Sequence, residues 1–552
     1  MKSKRYIVFL LLICFSFFLS CSKDDPVQEN LPPLLENLKL SQPEILSANN
    51  SGISLHFYFE GYGNEPIEEY GVVWYYDENK ELMQNCVKSF QGKPQQREVS
   101  LNIENGLPKG GIIYIRAYAK VNKNIYYGQY VSVFSEGGNK SVINKISPEN
   151  PKLSQQIKIE GEGFVKTLNT NYQTILVNDF EIKPDSVSEN VILFTLPSEY
   201  IESYNFDYNM KIGLKIFGEK YFYSKNCQFV SPWKELGLLN DFSSFAFKRG
   251  TATVLNNKAY VLFGKQYGKM FVYDIPNKQW TNIEYPGNPE QSFYGPHINC
   301  YNFTADNKIY SMIDDTLYSK SESSTWQKVT IYPGNHEAAI VPLLYYYTLI
   351  YYYNGNLYKG NFEIYSDTYY GDIGRNFYKY NINSNVWTKL TPIPEAGGNI
   401  YNYFVFVFED NINFGTIRTN RPYDFSKNIR MWSYSINKDT WSWNFDAGIY
   451  TDYPITDDIN TVVCFEVNNQ IFMGLGENHD DWPEYCSNKL WKFNPQTRYW
   501  DMVSRCPVKI NVSATFIYNK KVYILGTERD TLFEEKDINR KKYFYEFDPT
   551  LI

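Results

Sequence analysis

Histidine is scarce in this chain: there are four in 552 residues, at positions 56, 297, 336 and 479. That narrows the proton-transfer and metal chemistry the protein could run. Cysteine is little commoner, with eight residues at 14, 21, 86, 227, 300, 464, 486 and 506. They include no Cys-x-x-Cys pair and no zinc-like spacing, so most read as small buried hydrophobes, and a Cys486–Cys506 disulfide is conceivable. Positive charge is not in excess, since 54 Lys and Arg face 61 Asp and Glu for a net charge of −7. With the basic residues scattered, a nucleic-acid partner is excluded. Helical periodicity is nearly absent beyond the first twenty residues, and the one long apolar run, Tyr6–Leu19, is too short to cross a membrane and stay there.

Aromatic residues are what the chain has in plenty: they make up 18% of it, and 50 of them are Tyr. Together with alternating apolar patterns they give an all-β profile. Tryptophans 233, 280, 326, 387, 441 and 500 recur at intervals of 47, 46, 61, 54 and 59 residues. Seven positions before four of them stands another aromatic, Tyr273, Tyr380, Tyr434 or Phe493, with a polar turn between. Each unit opens with a hairpin pattern, apolar strand, Asn-rich turn, apolar strand, as in Val254–Val261, Phe303–Tyr310, Tyr351–Tyr358, Phe406–Asn413, Phe465–Phe472 and Phe516–Tyr523. Asn and Gly tolerate the positive φ that tight hairpin turns require. Short strands repeating every 40–60 residues indicate propeller blades. The last unit, Tyr543–Ile552, stops before its Trp, whereas Trp233 has no hairpin ahead of it. Trp233 is therefore expected to supply the outer strand of the final blade, which closes six blades and leaves no free edge between first and last.

A hydrophobic run, a glycine, an aromatic and then Tyr-x(6)-Trp resemble Kelch repeats over 232–552. The glycine pair usual after the second strand is reduced here to Gly264, Gly474/Gly476 and Gly526, and the unit Tyr310–Trp326 is degenerate. Upstream, residues 42–136 alternate as strands. Ile112–Ala119 followed by Tyr126-Tyr127-Gly128 resembles the late strands of fibronectin type III-like modules, and Trp74 reads as core. Residues 141–231 resemble an IPT/TIG domain on Ile143–Pro148, Ile157–Phe164, Ile175–Asn178 and Val191–Pro197, with Gly161 and Gly163 expected at the turn after the second strand. The fold class is thus all-β: two immunoglobulin-like β-sandwiches followed by a six-bladed Kelch-like β-propeller.

At the N-terminus Lys2, Lys4 and Arg5 precede the apolar run, and Leu19-Ser20-Cys21 resembles a bacterial lipoprotein cleavage box. The resemblance implies a signal peptide over 1–20 and acylation (palmitate) of Cys21, with 21–41 as a tether. Ser22-Lys23-Asp24-Asp25 is similar to the acidic tag of Bacteroidota lipoproteins exported to the outer face of the outer membrane. A lipid-anchored, outward-facing protein of the cell outer membrane follows, serving an uptake system alongside an outer-membrane transporter.

The loops joining strands 2 and 3 are expected to be long in the last four blades, about Gly360–Asn376, Thr416–Arg430, Glu477–Asn488 and Thr527–Lys542. Long loops on one face of a rigid ring mark a recognition surface. They hold Arg375; Arg418, Arg421 and Tyr423; and His479, Asp480, Asp481, Trp482 and Tyr485. Blade-to-blade entries add Arg249, His297, His336 and Glu337. Aromatic rings beside acids, amides and Arg suit sugars, the C–H face packing on the ring while hydroxyls take hydrogen bonds. Glycan, or another extracellular nutrient, is the expected ligand, and no catalytic residue, cofactor or metal is assigned. Two alternatives stand beside it. The same face could serve as an adhesin or protein-docking platform. Sialic-acid mutarotases are six-bladed Kelch proteins too, which leaves a proton-transfer enzyme using His297, His336 or Glu337 as the other. The copper ligands of galactose-oxidase-like Kelch enzymes have no matching motif here.

Overall fold

The computed structural model describes residues 37–76, 81–203, 206–238, 250–262, 269–284, 286, 300–313, 315–334, 348–361, 376–394, 399–419, 427–443, 463–477, 486–497, 500–527 and 541–552. The chain is all-β, built of antiparallel sheets. Among the described residues the only α-helix is the five-residue Ser198–Glu202. Two compact units divide it. One gathers the described parts of Met1–Ile146, Lys158–Phe194 and Lys211–Lys225; the other gathers Ser147–Ile157, Thr195–Met210 and Asn226–Ile552.

In the first unit Gly52–Tyr62 pairs with Leu38–Leu40, Glu44–Asn49 and Glu98–Ile103, while Glu69–Tyr75 and Lys109–Val121 centre a second four-stranded sheet. Period-2 alternation sends Phe57, Val72, Ile115 and Ala117 inward. Trp74 is buried with them, its indole N–H donating to Gly106 O at 2.9 Å, so it belongs to the core. Two further four-stranded sheets follow, centred on Val191–Phe194 with Ile157–Glu162 and on Gln173–Val177 with Ile212–Ile216. Here one glycine differs from expectation. Gly163 takes a turn conformation at φ +78°, but Gly161 lies inside the strand Ile157–Glu162. A Cβ on Gly161 would stand 2.1 Å from Val142 O, so close strand approach, not a turn, requires glycine there.

Among the described residues the second unit contains six four-stranded sheets, each of up-and-down antiparallel strands. Sheet I runs Thr251–Glu284, sheet II Cys300–Ile331, sheet III Thr348–Leu390, sheet IV Asn399–Trp443 and sheet V Val463–Arg505. Sheet VI runs Asn511–Tyr518, Lys521–Thr527 and Lys542–Phe547, and takes its fourth strand from Trp233–Leu238, with Trp233 opposite Phe547. All six first hairpins close through two residues with positive φ: Asn256-Asn257, Asp306-Asn307, Asn354-Gly355, Glu409-Asp410, Asn468-Asn469 and Asn519-Lys520. That pair of conformations matches the twist of the flanking strands.

The aromatic–Trp spacing has a direct structural meaning. Tyr273, Tyr380, Tyr434 and Phe493 lie cross-strand from Trp280, Trp387, Trp441 and Trp500, with ring centroids 4.8, 5.0, 5.0 and 5.3 Å apart. Phe547 and Trp233 make the same pair at 4.8 Å across distant parts of the sequence. Between the partners the turn is pinned by side chains: the hydroxyls of Tyr380 and Tyr434 donate to Asn385 and Asp439 at 2.8 Å. The indole N–H groups then reach the preceding sheet. Trp326 donates to Glu284 O, Trp387 to Thr330 Oγ1, Trp441 to Thr391 O and Trp233 to Ser504 Oγ. Sheet II is the degenerate unit, having Ser319 where the others have an aromatic.

Because alternate residues of a strand point to opposite faces, each sheet buries one face on each neighbour. Tyr260, Leu262 and Val272 of sheet I pack with Ile309 and Ile313 of II. Phe303 and Tyr310 of II meet Leu357 and Tyr380 of III, and Tyr358 and Phe377 of III meet Phe414 and Tyr434 of IV. Phe406 and Phe408 of IV contact Phe493 of V; Phe472 and Leu490 of V pack with Ile524 and Phe547 of VI. Finally Phe516 and Phe544 of VI pack with Val261 and Tyr273 of I.

Candidate functional site

In an up-and-down sheet the turns joining strands 1–2 and 3–4 leave one end, and the 2–3 connection leaves the other together with the exit to the next sheet. The first end carries the two-residue turns described above. At the second, strands Asn356–Asn361 and Phe377–Asn381 are joined through 362–376, Asn411–Thr419 and Lys427–Ser435 through 420–426, Gln470–Glu477 and Cys486–Phe493 through 478–485, and Lys521–Thr527 and Lys542–Phe547 through 528–541. In sheet II the corresponding strands, Lys308–Ile313 and Thr316–Lys320, are separated only by 314–315.

One expected loop is shorter than its residues suggested. Thr416–Thr419 pairs in register with Lys427–Arg430, so the connection in sheet IV is 420–426. Arg418 is consequently a strand residue, opposite Asn428 on one side and Ile400 on the other, and not part of a loop. The β-branched Thr416, Ile417 and Thr419 favour continuing the ladder, which loop polarity had obscured. Of the other anticipated site residues, Arg249, His297, His336, Glu337, Arg375, Arg421, Tyr423, His479, Asp480, Asp481, Trp482 and Tyr485 lie outside the described residues, as does Cys21.

At the same end of sheets II and III sits a group that sequence patterning missed. Lys359 is 1% exposed, and its ammonium lies 2.8 Å from Asp315 Oδ1 and 4.6 Å from the Tyr332 ring centre. The Tyr332 hydroxyl donates to Asn376 O at 3.0 Å, and burial, then Asp315, pushes its ionisation well above the ordinary phenol range. Asp315 comes from the tight connection of sheet II, Lys359 from the second strand of III, and Asn376 from the end of 362–376. Each hydrogen-bonded pair is 44 residues apart along the chain, and nothing in the local pattern pairs them. This cluster fixes where the long connection of sheet III re-enters the fold.

Burial favours the neutral thiol at Cys86, Cys227, Cys464 and Cys506. Burial raises Cys227 to about 11 and Cys506 to about 12, and Cys464 further still. Cys506 is a free thiol, so it forms no disulfide with Cys486. His56, the one histidine among the described residues, lies 3.0 Å from Glu44 on the first unit. Among the described residues no cluster of three His, Cys, Asp or Glu side chains could hold a metal ion.

Residues 141–230 match the IPT/TIG domain family, so the chain carries an IPT/TIG domain. Across the described residues it is an all-β protein of successive antiparallel sheets. No curated protein matches it. Solved structures similar to it include YjhT, at 12% identity and a TM-score of 0.38, covering 57% of this chain and 96% of that one. A structural genomics protein of unknown function from Bacteroides thetaiotaomicron is similar at 9% identity and a TM-score of 0.35, over 74% of this chain and 98% of that one. An auxiliary nutrient binding protein from the same organism is similar at 12% and 0.33, again over 74% and 98%. At these identities and TM-scores the likeness assigns no activity to this chain.

Proposed function

We propose that this is a lipoprotein, anchored to the outer membrane through Cys21, whose six-sheet region is a closed, Kelch-like six-bladed propeller that captures glycan or another nutrient. The cyclic order of packing, sheet I on II through to VI on I, supports the closed ring. The two-sheet order of the first module supports a fibronectin type III-like sandwich, which with the IPT/TIG domain serves as spacer. One observation carries the binding site: the tight turns and the long connections leave opposite ends of the sheets. A rigid rim with its loops at one end is where a ligand would be held. Trp482 stacks on a sugar ring, and His479, Asp480, Asp481 and Tyr485 bind its hydroxyls.

Three experiments test this reading. Trp482→Ala is expected to weaken capture on a glycan array, followed by calorimetry, by roughly 1–3 kcal/mol; an unchanged affinity removes the site. Retained ligand should stay chemically unaltered by NMR, which separates binding from mutarotation. Cys21→Ser is expected to abolish incorporation of labelled palmitate and shift the protein from the membrane to the soluble fraction, since stable attachment needs more than one acyl chain. Persistent membrane retention of that variant would argue against the anchor.

A further inference from the structure

Of the six sheets, VI alone is assembled from two distant parts of the chain, where Trp233–Leu238 pairs with Lys542–Phe547. No short turn holds this joint, so it is the place where the assembly would open first. A segment that precedes it in sequence is bonded to the strand Trp500–Arg505 of sheet V, beside the joint. The Tyr208 hydroxyl lies 3.0 Å from Ser504 Oγ and donates to Arg505 O at 3.1 Å. The same Ser504 oxygen accepts the Trp233 indole N–H at 2.7 Å. Arg505 answers in the other direction. Its Nε donates to Ile201 O at 2.7 Å and its Nη2 to Glu202 O, the last carbonyls of the helix Ser198–Glu202, which have no partner within the helix itself. Its Nη1 reaches Asn488 Oδ1 in sheet V at 3.2 Å. At the far side of the joint, Lys152 donates to Thr550 O at 2.7 Å and the Asp548 N–H to Pro232 O at 2.8 Å.

We propose that Thr195–Met210 is a strap that locks the closing strand pair, so that opening of Trp233–Phe547 requires release of the Arg505 and Tyr208 contacts. Only a residue bonded to both sides can couple the two events: Ser504 holds both Tyr208 of the strap and Trp233 of the closing strand, while its neighbour Arg505 anchors the strap to sheet V. The strap makes the segment part of the six-sheet unit's closure and not merely a spacer ahead of it.

Hydrogen exchange on the full chain tests this. In Arg505→Ala, amides of Trp233–Leu238 and Lys542–Phe547 should exchange at least about tenfold faster, the factor for losing even one of its three charge-assisted hydrogen bonds, while strands of sheet III keep their protection. Tyr208→Phe, which removes only a hydroxyl, should give a smaller rise at the same amides, and Arg505→Lys should restore part of the protection. Unchanged exchange at the joint in both variants, or equal acceleration in all six sheets, overturns the strap.

Discussion

Replacing Trp233 by alanine is expected to cost the six-sheet unit about 3–5 kcal/mol, the range for truncating a buried large aromatic. The side chain is 6% exposed, lies 4.8 Å from the Phe547 ring, and packs in the core shared by sheets V and VI. Its indole N–H also satisfies Ser504. Trp233→Phe keeps most of the apolar contact and loses that bond, so about 1 kcal/mol is expected for it. Trp500, likewise 6% exposed, belongs in the same class as Trp233. Trp326 and Trp441 are partly exposed, so their removal should cost distinctly less. Denaturant midpoints of the four alanine variants check the ranking, and a Trp233→Ala midpoint no lower than that of Trp441→Ala would contradict it.

Asp315→Asn is expected to destabilise the same unit by about 3 kcal/mol, the lower part of the range for a buried ion pair broken from one side. Lys359 is almost fully enclosed, whereas Asp315 is about a quarter exposed on its side chain. Removing the carboxylate charge therefore leaves an ammonium inside the protein facing a neutral amide, with the Tyr332 ring still beside it. Lys359→Met, which deletes the buried charge and keeps the volume, should be milder, and the double variant should recover most of the loss. A double-mutant cycle on denaturant midpoints reads this directly. If Asp315→Asn alone changed stability by less than about 0.5 kcal/mol, as ordinary surface substitutions do, the cluster would not be holding the rim. Because Tyr332 also bonds Asn376, loosening here should raise proteolytic cleavage within 362–376.

Much of the architecture was legible because its signals are local. In the first hairpins positive φ falls on Asn, Asp or Gly at every position except Glu409 and Lys520, since few other residues accept that conformation cheaply. The seven-residue interval between Tyr434 and Trp441 is the span of one strand-turn-strand register, so the spacing alone sets the ring pair. Even the pairing of Trp233 with Phe547 could be read, because an incomplete last unit and an orphan first strand are both visible along the chain. Tertiary structure decided what no local pattern encodes. It chose which of the six repeated Trp residues are enclosed, kept Arg418 within a ladder, and put Gly161 against the Val142 carbonyl. It also joined Lys359 to Asp315 and Arg505 to the helix Ser198–Glu202. The reason is physical: hydrogen-bond register and turn geometry act between neighbours in sequence, whereas burial and ion pairing depend on surfaces that meet only when separate sheets pack.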